Sequence, residues 1–175
     1  TEVGKPVIIH NREATEPVHV ILRQWVQGAS FRASPLAKRP FAGVLHAFGG
    51  TIKQAEEAYG WGFALSMGGP VTFRNARNLH ALIPQLRLDR LMLETDAPYL
   101  TPHPHRGKRN EPGFLALVCR QIAELRGILP EEVATASTAV ARTFFNLESL
   151  GSIGDDSGRK EHDLFSHEAS GIGSC

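Results

Sequence analysis

An α/β fold built on a parallel sheet is what three features of this 175-residue chain predict. Four short apolar runs alternate with stretches of helical periodicity, the pattern of strand–helix–strand units. The first two runs each end in a histidine. The fourth ends in an acid and passes into a proline-rich loop full of donors.

The elements follow in order. Lys5 to His10 (KPVIIH) reads as a buried strand rich in β-branched residues. From Glu13 to Gln27, the apolar residues Val18, Ile21, Leu22, Trp25 and Val26 recur at helical spacing. Pro17 is tolerated only in that helix's first turn. Gly28 to Pro40 reads as a loop. Gly43 to His46 (GVLH) is a second strand, and Gly49-Gly50 makes a turn. Thr51 is placed to cap a helix reaching Tyr59. Gly62 to Met67 (GFALSM) is a third strand, and Thr72 reads as the cap of a helix holding Ala76, Leu79, Leu82 and Ile83. Leu91 to Glu94 is the fourth strand. Pro112 opens a helix to Arg126 that Gly127 ends. Pro130 begins a short helix, and Ser137 caps another to Asn146. Beyond Leu147 the chain is rich in Gly, Ser and acids, the composition of a disordered acidic tail over 148–175.

Length and composition set limits. The chain is long enough for one domain with a real core, and its 42% hydrophobic content is ordinary for a globular protein. No apolar run approaches a membrane span, so no membrane partner is expected. Two cysteines, Cys119 and Cys175, are too few for a disulfide framework and favour a reducing, cytoplasmic setting. The abrupt start at Thr1 predicts a fragment. The net charge of +1 divides into −4 for residues 148–175 and +5 for the rest. A mildly basic body suits an anionic substrate.

The chemistry gathers at one address. In a parallel array the strand C-terminal ends open on one face, where catalytic groups collect. His10 ends the first strand, His46 the second, and Asp96 lies just past the fourth. Each alone reads as an ordinary rim residue. Together, two imidazoles and a carboxylate form a divalent-metal set, with zinc, iron or nickel suited to imidazole and manganese or magnesium to carboxylate. Arg12 points toward the same rim, and the loop adds His105, Arg106, Lys108, Arg109 and Asn110. An acid beside such cations suits a metal ion sharing its site with a phosphate. His19 and His80 read as surface residues.

The motifs PVIIHNRE, GVLHAFGG, GGPVTFRNA, LMLETDAPYLTP and PHRGKRNEP, in this order, closely resemble the TatD family of metal-dependent deoxyribonucleases. STAVARTFFNL is similar to that family's last helix. The resemblance covers roughly Lys5 to Leu147. It implies the C-terminal half of a TIM-type (β/α)8 barrel, of the amidohydrolase-like superfamily, over 1–147. It implies a two-metal site using Mg, Mn or Zn that cleaves phosphodiesters in DNA as an exonuclease. Family ligands fall on His10, His46 and Asp96, the last also catalytic. The family's RGKRNEP segment lies at the substrate side, which implies that role for Arg106, Lys108, Arg109 and Asn110; Arg12 at the rim and His105 in the loop are read as substrate contacts from their positions. The family's His-x-His strand and metal-bridging glutamate strand are not in this sequence, and a full barrel takes ~250 residues. An inactive, nucleic-acid-binding fragment is therefore an alternative, as is amide hydrolysis on the same architecture. No obligate protein partner is expected. With half a barrel, the apolar inner faces, such as Val7, Ile9, Val44 and Leu93, are expected to lack half of their packing partners.

Overall fold

The computed structural model of the protein describes residues 3–147. The tail from 148, with Cys175, His162 and His167, lies outside the described residues. Four parallel strands, β1 (Val7–Ile9), β2 (Gly43–Leu45), β3 (Phe63–Met67) and β4 (Leu91–Leu93), form one sheet in the order β1-β2-β3-β4. Each matches a predicted apolar run, trimmed where its end turns into a loop.

Helices fill the crossovers. α1 (Thr15–Gln27) and the short α2 (Ala29–Arg32) connect β1 to β2. α3 (Ile52–Gly60) connects β2 to β3, and α4 (Arg77–Leu82) connects β3 to β4. α5 (Leu115–Arg126) and α6 (Pro130–Phe145) follow.

Strand alternation gives the sheet two faces. Val7, Ile9, Leu45, Phe63, Leu65, Leu91 and Leu93 join Leu22, Ala55, Ala58, Val118 and Ile122 of the helices in the main core. The other face presents Val44, Ala64 and Met92, which pack with Phe41 and with Val140 and Phe144 of α6. This corrects the expected grouping. Val44 pairs with Ile8, not with Val7 or Ile9, so the period of two sets it apart from them. It is also covered, by α6, whereas its neighbour Ile8 stays 59% exposed at the sheet edge.

Thr51 caps α3 as expected. Gln54 N–H donates to its hydroxyl oxygen at 3.3 Å, and Thr51 N–H donates to Gln54 Oε1 at 2.8 Å. Gly127 closes α5 at φ 66°, the left-handed conformation that glycine adopts at little cost. Two expected caps are not caps. Thr72 ends a tight 3₁₀ turn and donates its hydroxyl to Gly69 O at 2.7 Å, while α4 starts only at Arg77. Ser137 is buried within a continuous α6, because the stripe Val133–Val140–Phe144 runs straight through it. His19, expected at the surface, is 1% exposed, with its Nδ1 3.4 Å from Glu57 Oε2 and its ring against Trp61. His80 is half-buried, with Nε2 2.8 Å from Val71 O. No helix among the described residues is long and apolar enough to cross a membrane.

Candidate metal centre

His46 and Glu94 each follow directly on a strand, and the ladder still holds them. His46 N–H donates to Ile9 O at 2.9 Å, and Glu94 N–H donates to Met67 O at 3.0 Å. The sheet therefore aims both side chains, with Ser66 of β3 between them.

The contacts are close. His46 Nδ1 lies 2.6 Å from Glu94 Oε2, and its Nε2 lies 3.1 Å from Asp96 Oδ1. Ala47 N–H donates to Glu94 Oε1 at 2.8 Å, and the Ser66 hydroxyl donates to Oε2. His46, Glu94 and Asp96 offer ligand atoms that all lie within 4.8 Å of one another. Asp96 Oδ2 is buried without a hydrogen-bond partner. A buried carboxylate oxygen left unpaired is costly, and a cation is the group that would satisfy it. The donor set of one imidazole and two carboxylates fits a divalent ion. Burial pushes the His46 imidazole down, but the hydrogen bond and charge of Glu94 and the nearby Asp96 outweigh it. The net shift is upward from the ordinary value.

His10 lies on the adjoining strand end. Its ring centroid is 5.5 Å from that of His46, and it is exposed, outside the tight group of three. Arg12 is exposed just beyond. In the loop after β4, His105 stacks on Phe114 with centroids 4.6 Å apart, and the Arg106 guanidinium lies 3.7 Å over the Phe73 ring. Lys108 and Arg109 are exposed. Asn110 departs from expectation. It is 2% exposed, its Nδ2 donates to Tyr99 O at 2.6 Å, and its Oδ1 accepts Glu111 N–H at 2.9 Å. Its amide braces the loop and has no free face for a substrate.

Glu94 is the site residue that sequence reasoning left out. The signal was its spacing from Asp96: two residues apart at an extended strand end, both acids fall on one side.

A model of the family described as TatD related DNase matches residues 1–146. The "Uncharacterized metal-dependent hydrolase YabD" of Bacillus subtilis (strain 168) is 44% identical over 146 residues, which is 83% of this chain and 53% of the relative. The "3'-5' ssDNA/RNA exonuclease TatD" of Erwinia tasmaniensis is 38% identical over 83% of this chain and 54% of its own length. The crystal structure of YJJV, a TatD homologue from Escherichia coli K12, superposes with a TM-score of 0.68 at 31% identity, covering 81% of this chain and 50% of that one. A TatD family protein from Entamoeba histolytica, at 17% identity and a TM-score of 0.61, shares the fold. The chain spans about half the length of the relatives it matches. With its strand order, its rim donors and these likenesses in agreement, the chain belongs to the family of TatD-related DNases.

Proposed function

We propose that this chain supplies part of the active site of a metal-dependent phosphodiesterase that acts on DNA as an exonuclease, with residues 1–147 forming its share of the barrel. The observation that carries the reading is the buried, unpartnered Oδ2 of Asp96, whose other oxygen, Oδ1, lies 3.1 Å from His46 Nε2. Asp96 and the Nε2 of His46 would hold a divalent ion, and His10 would contribute from the neighbouring strand end. Two ions of the magnesium, manganese or zinc kind are the proposed complement. Bound there, they would polarise a phosphoryl oxygen and acidify a water.

The protein's own groups do the rest. Glu94 fixes the His46 ring by holding Nδ1, which leaves Nε2 facing Asp96. Asp96 would also orient the attacking water. Arg12, Lys108 and Arg109 would meet the phosphates, with Arg106 and His105 held ready by their aromatic supports. Asn110 shapes the loop that carries them. This row of cations favours phosphodiester over amide as the substrate. The name of the Erwinia tasmaniensis relative supports nucleic acid as the substrate class. The free, buried Cys119 fits a cytoplasmic setting.

The test uses the full-length protein. Asp96→Asn should lower bound manganese and abolish cleavage of single-stranded DNA. Unchanged metal content together with unchanged turnover would remove Asp96 from the site and the reading with it.

A further inference from the structure

The loop after Asp96 is braced from below and open above. Tyr99 N–H donates to Asp96 O at 2.7 Å, and Asn110 N–H donates to Pro98 O at 3.0 Å. The buried Asn110 amide holds Tyr99 O at 2.6 Å. The buried Thr101 hydroxyl donates to Lys108 O, and His103 N–H donates to Thr72 Oγ1 at 2.8 Å. Gly69 lets the loop close down, since a Cβ there would stand 2.0 Å from Leu100 O. Leu100 itself is held at φ 52°, a conformation unfavourable for a residue with a Cβ.

All of this fixes a backbone whose displayed side chains touch little. Tyr99 is 74% exposed and Leu100 44% exposed, and the Tyr99 ring makes no hydrogen bond or ring contact among the described residues. Tyr99 follows Asp96 by three positions and is tied to it by its N–H bond to Asp96 O, and Lys108 and Arg109 of the same loop are exposed. A rigidly mounted, unoccupied aromatic face beside cations is the arrangement that receives an unpaired base while the cations follow the phosphates. In a duplex the base faces are already covered by their neighbours, so such a platform favours single strands.

We propose that Tyr99 is a specificity-determining residue that stacks one unpaired nucleobase of single-stranded nucleic acid beside the metal centre. The placement of that base next to a scissile phosphate rests on the phosphodiesterase reading; the stacking does not.

The experiment uses full-length protein in calcium and a set of pentanucleotides. Each carries 2-aminopurine at one position, and each has a matched strand abasic at that position. One position should show strong quenching on binding. There Tyr99→Ala should weaken binding by roughly 5- to 150-fold, the weight of one base–aromatic stack, while Tyr99→Phe keeps both affinity and quench. On the matched abasic strand, wild type and Tyr99→Ala should bind alike. The proposal is overturned if no position is quenched, if Tyr99→Ala binds as tightly as wild type, or if it loses the same factor on the abasic strand. Cleavage in manganese is read separately. Binding and quenching by a wild type that never cuts would end the enzymatic reading and leave the stacking in place.

Discussion

Glu94 accepts from three donors at once, the His46 ring, the Ala47 N–H and the Ser66 hydroxyl, whereas Asp96 keeps an oxygen free. The two acids should therefore respond differently to mutation. Glu94→Ala strands a partly buried imidazole and a backbone N–H, at a cost of about 1–3 kcal/mol in the metal-free protein, and should lower metal affinity by ~10–100-fold through a misoriented His46. Asp96→Asn should leave metal-free stability nearly unchanged while removing metal binding. Thermal melts with chelator and manganese titrations read the two effects apart. Glu57 offers a pH test away from the site. Desolvation raises its pKa, but the Arg23 and His19 hydrogen bonds outweigh that and the net shift is downward from 4.5. A depressed folded-state pKa means stability that is present above the ordinary carboxyl value and lost as pH falls through the depressed one. Glu57→Gln should remove that acid-side slope in urea titrations from pH 6 to pH 3, a window of about three units around the carboxyl range. Arg109→Ala, by contrast, should raise KM for single-stranded DNA with little change in kcat and a shallower salt dependence, as expected when a phosphate contact is lost.

Among the elements, α6 runs unbroken where two helices were expected, and it covers the second face of the sheet. Phe144 covers the Val44–Ala64–Met92 face, and Phe144→Ala should cost about 3–5 kcal/mol as measured by urea denaturation. Thr51→Ala, which deletes the capping box of α3, should cost about 1 kcal/mol. The strands were legible because apolar runs bounded by Gly, Pro and His leave few other readings. The caps were less so. Thr72 resembles a cap in composition, yet its hydroxyl serves a 3₁₀ turn and the distant His103 N–H, a tertiary contact that no local pattern announces. The burial of His19 and Ser137 was partly encoded. His19 shares a helical stripe with Leu22 and Val26, and Ser137 with Val133, Val140 and Phe144, but polarity argued against reading them as core. At the site, the strand ends placed His46 and Asp96. The engagement of Asn110 depended on how the loop folds back on Tyr99, which spacing alone does not show.

For the molecule as a whole, the sheet is open at both β1 and β4 among the described residues, and the chain spans about half the length of its relatives. Residues 1–175 expressed alone should have little or no nuclease activity and poor solubility, because unpaired strand edges beside the exposed Ile8 invite association. Sedimentation and cleavage of single-stranded DNA in manganese check this; a monomer with robust metal-dependent turnover would show that these residues suffice. The pairing of the strands also ties chemistry to assembly. A slip of β4 by one residue would turn Glu94 toward the helices and bring Leu93 to the rim. Only one parity of β2 and β4 brings His46 and Asp96 together with Glu94 against the ring, so the proposed ion would find its donors only on the correctly threaded chain. At a hundred times its Kd such an ion would favour that chain by ~2.7 kcal/mol. The cation would then act as a checksum on strand order, rejecting misaligned sheets before any substrate arrives.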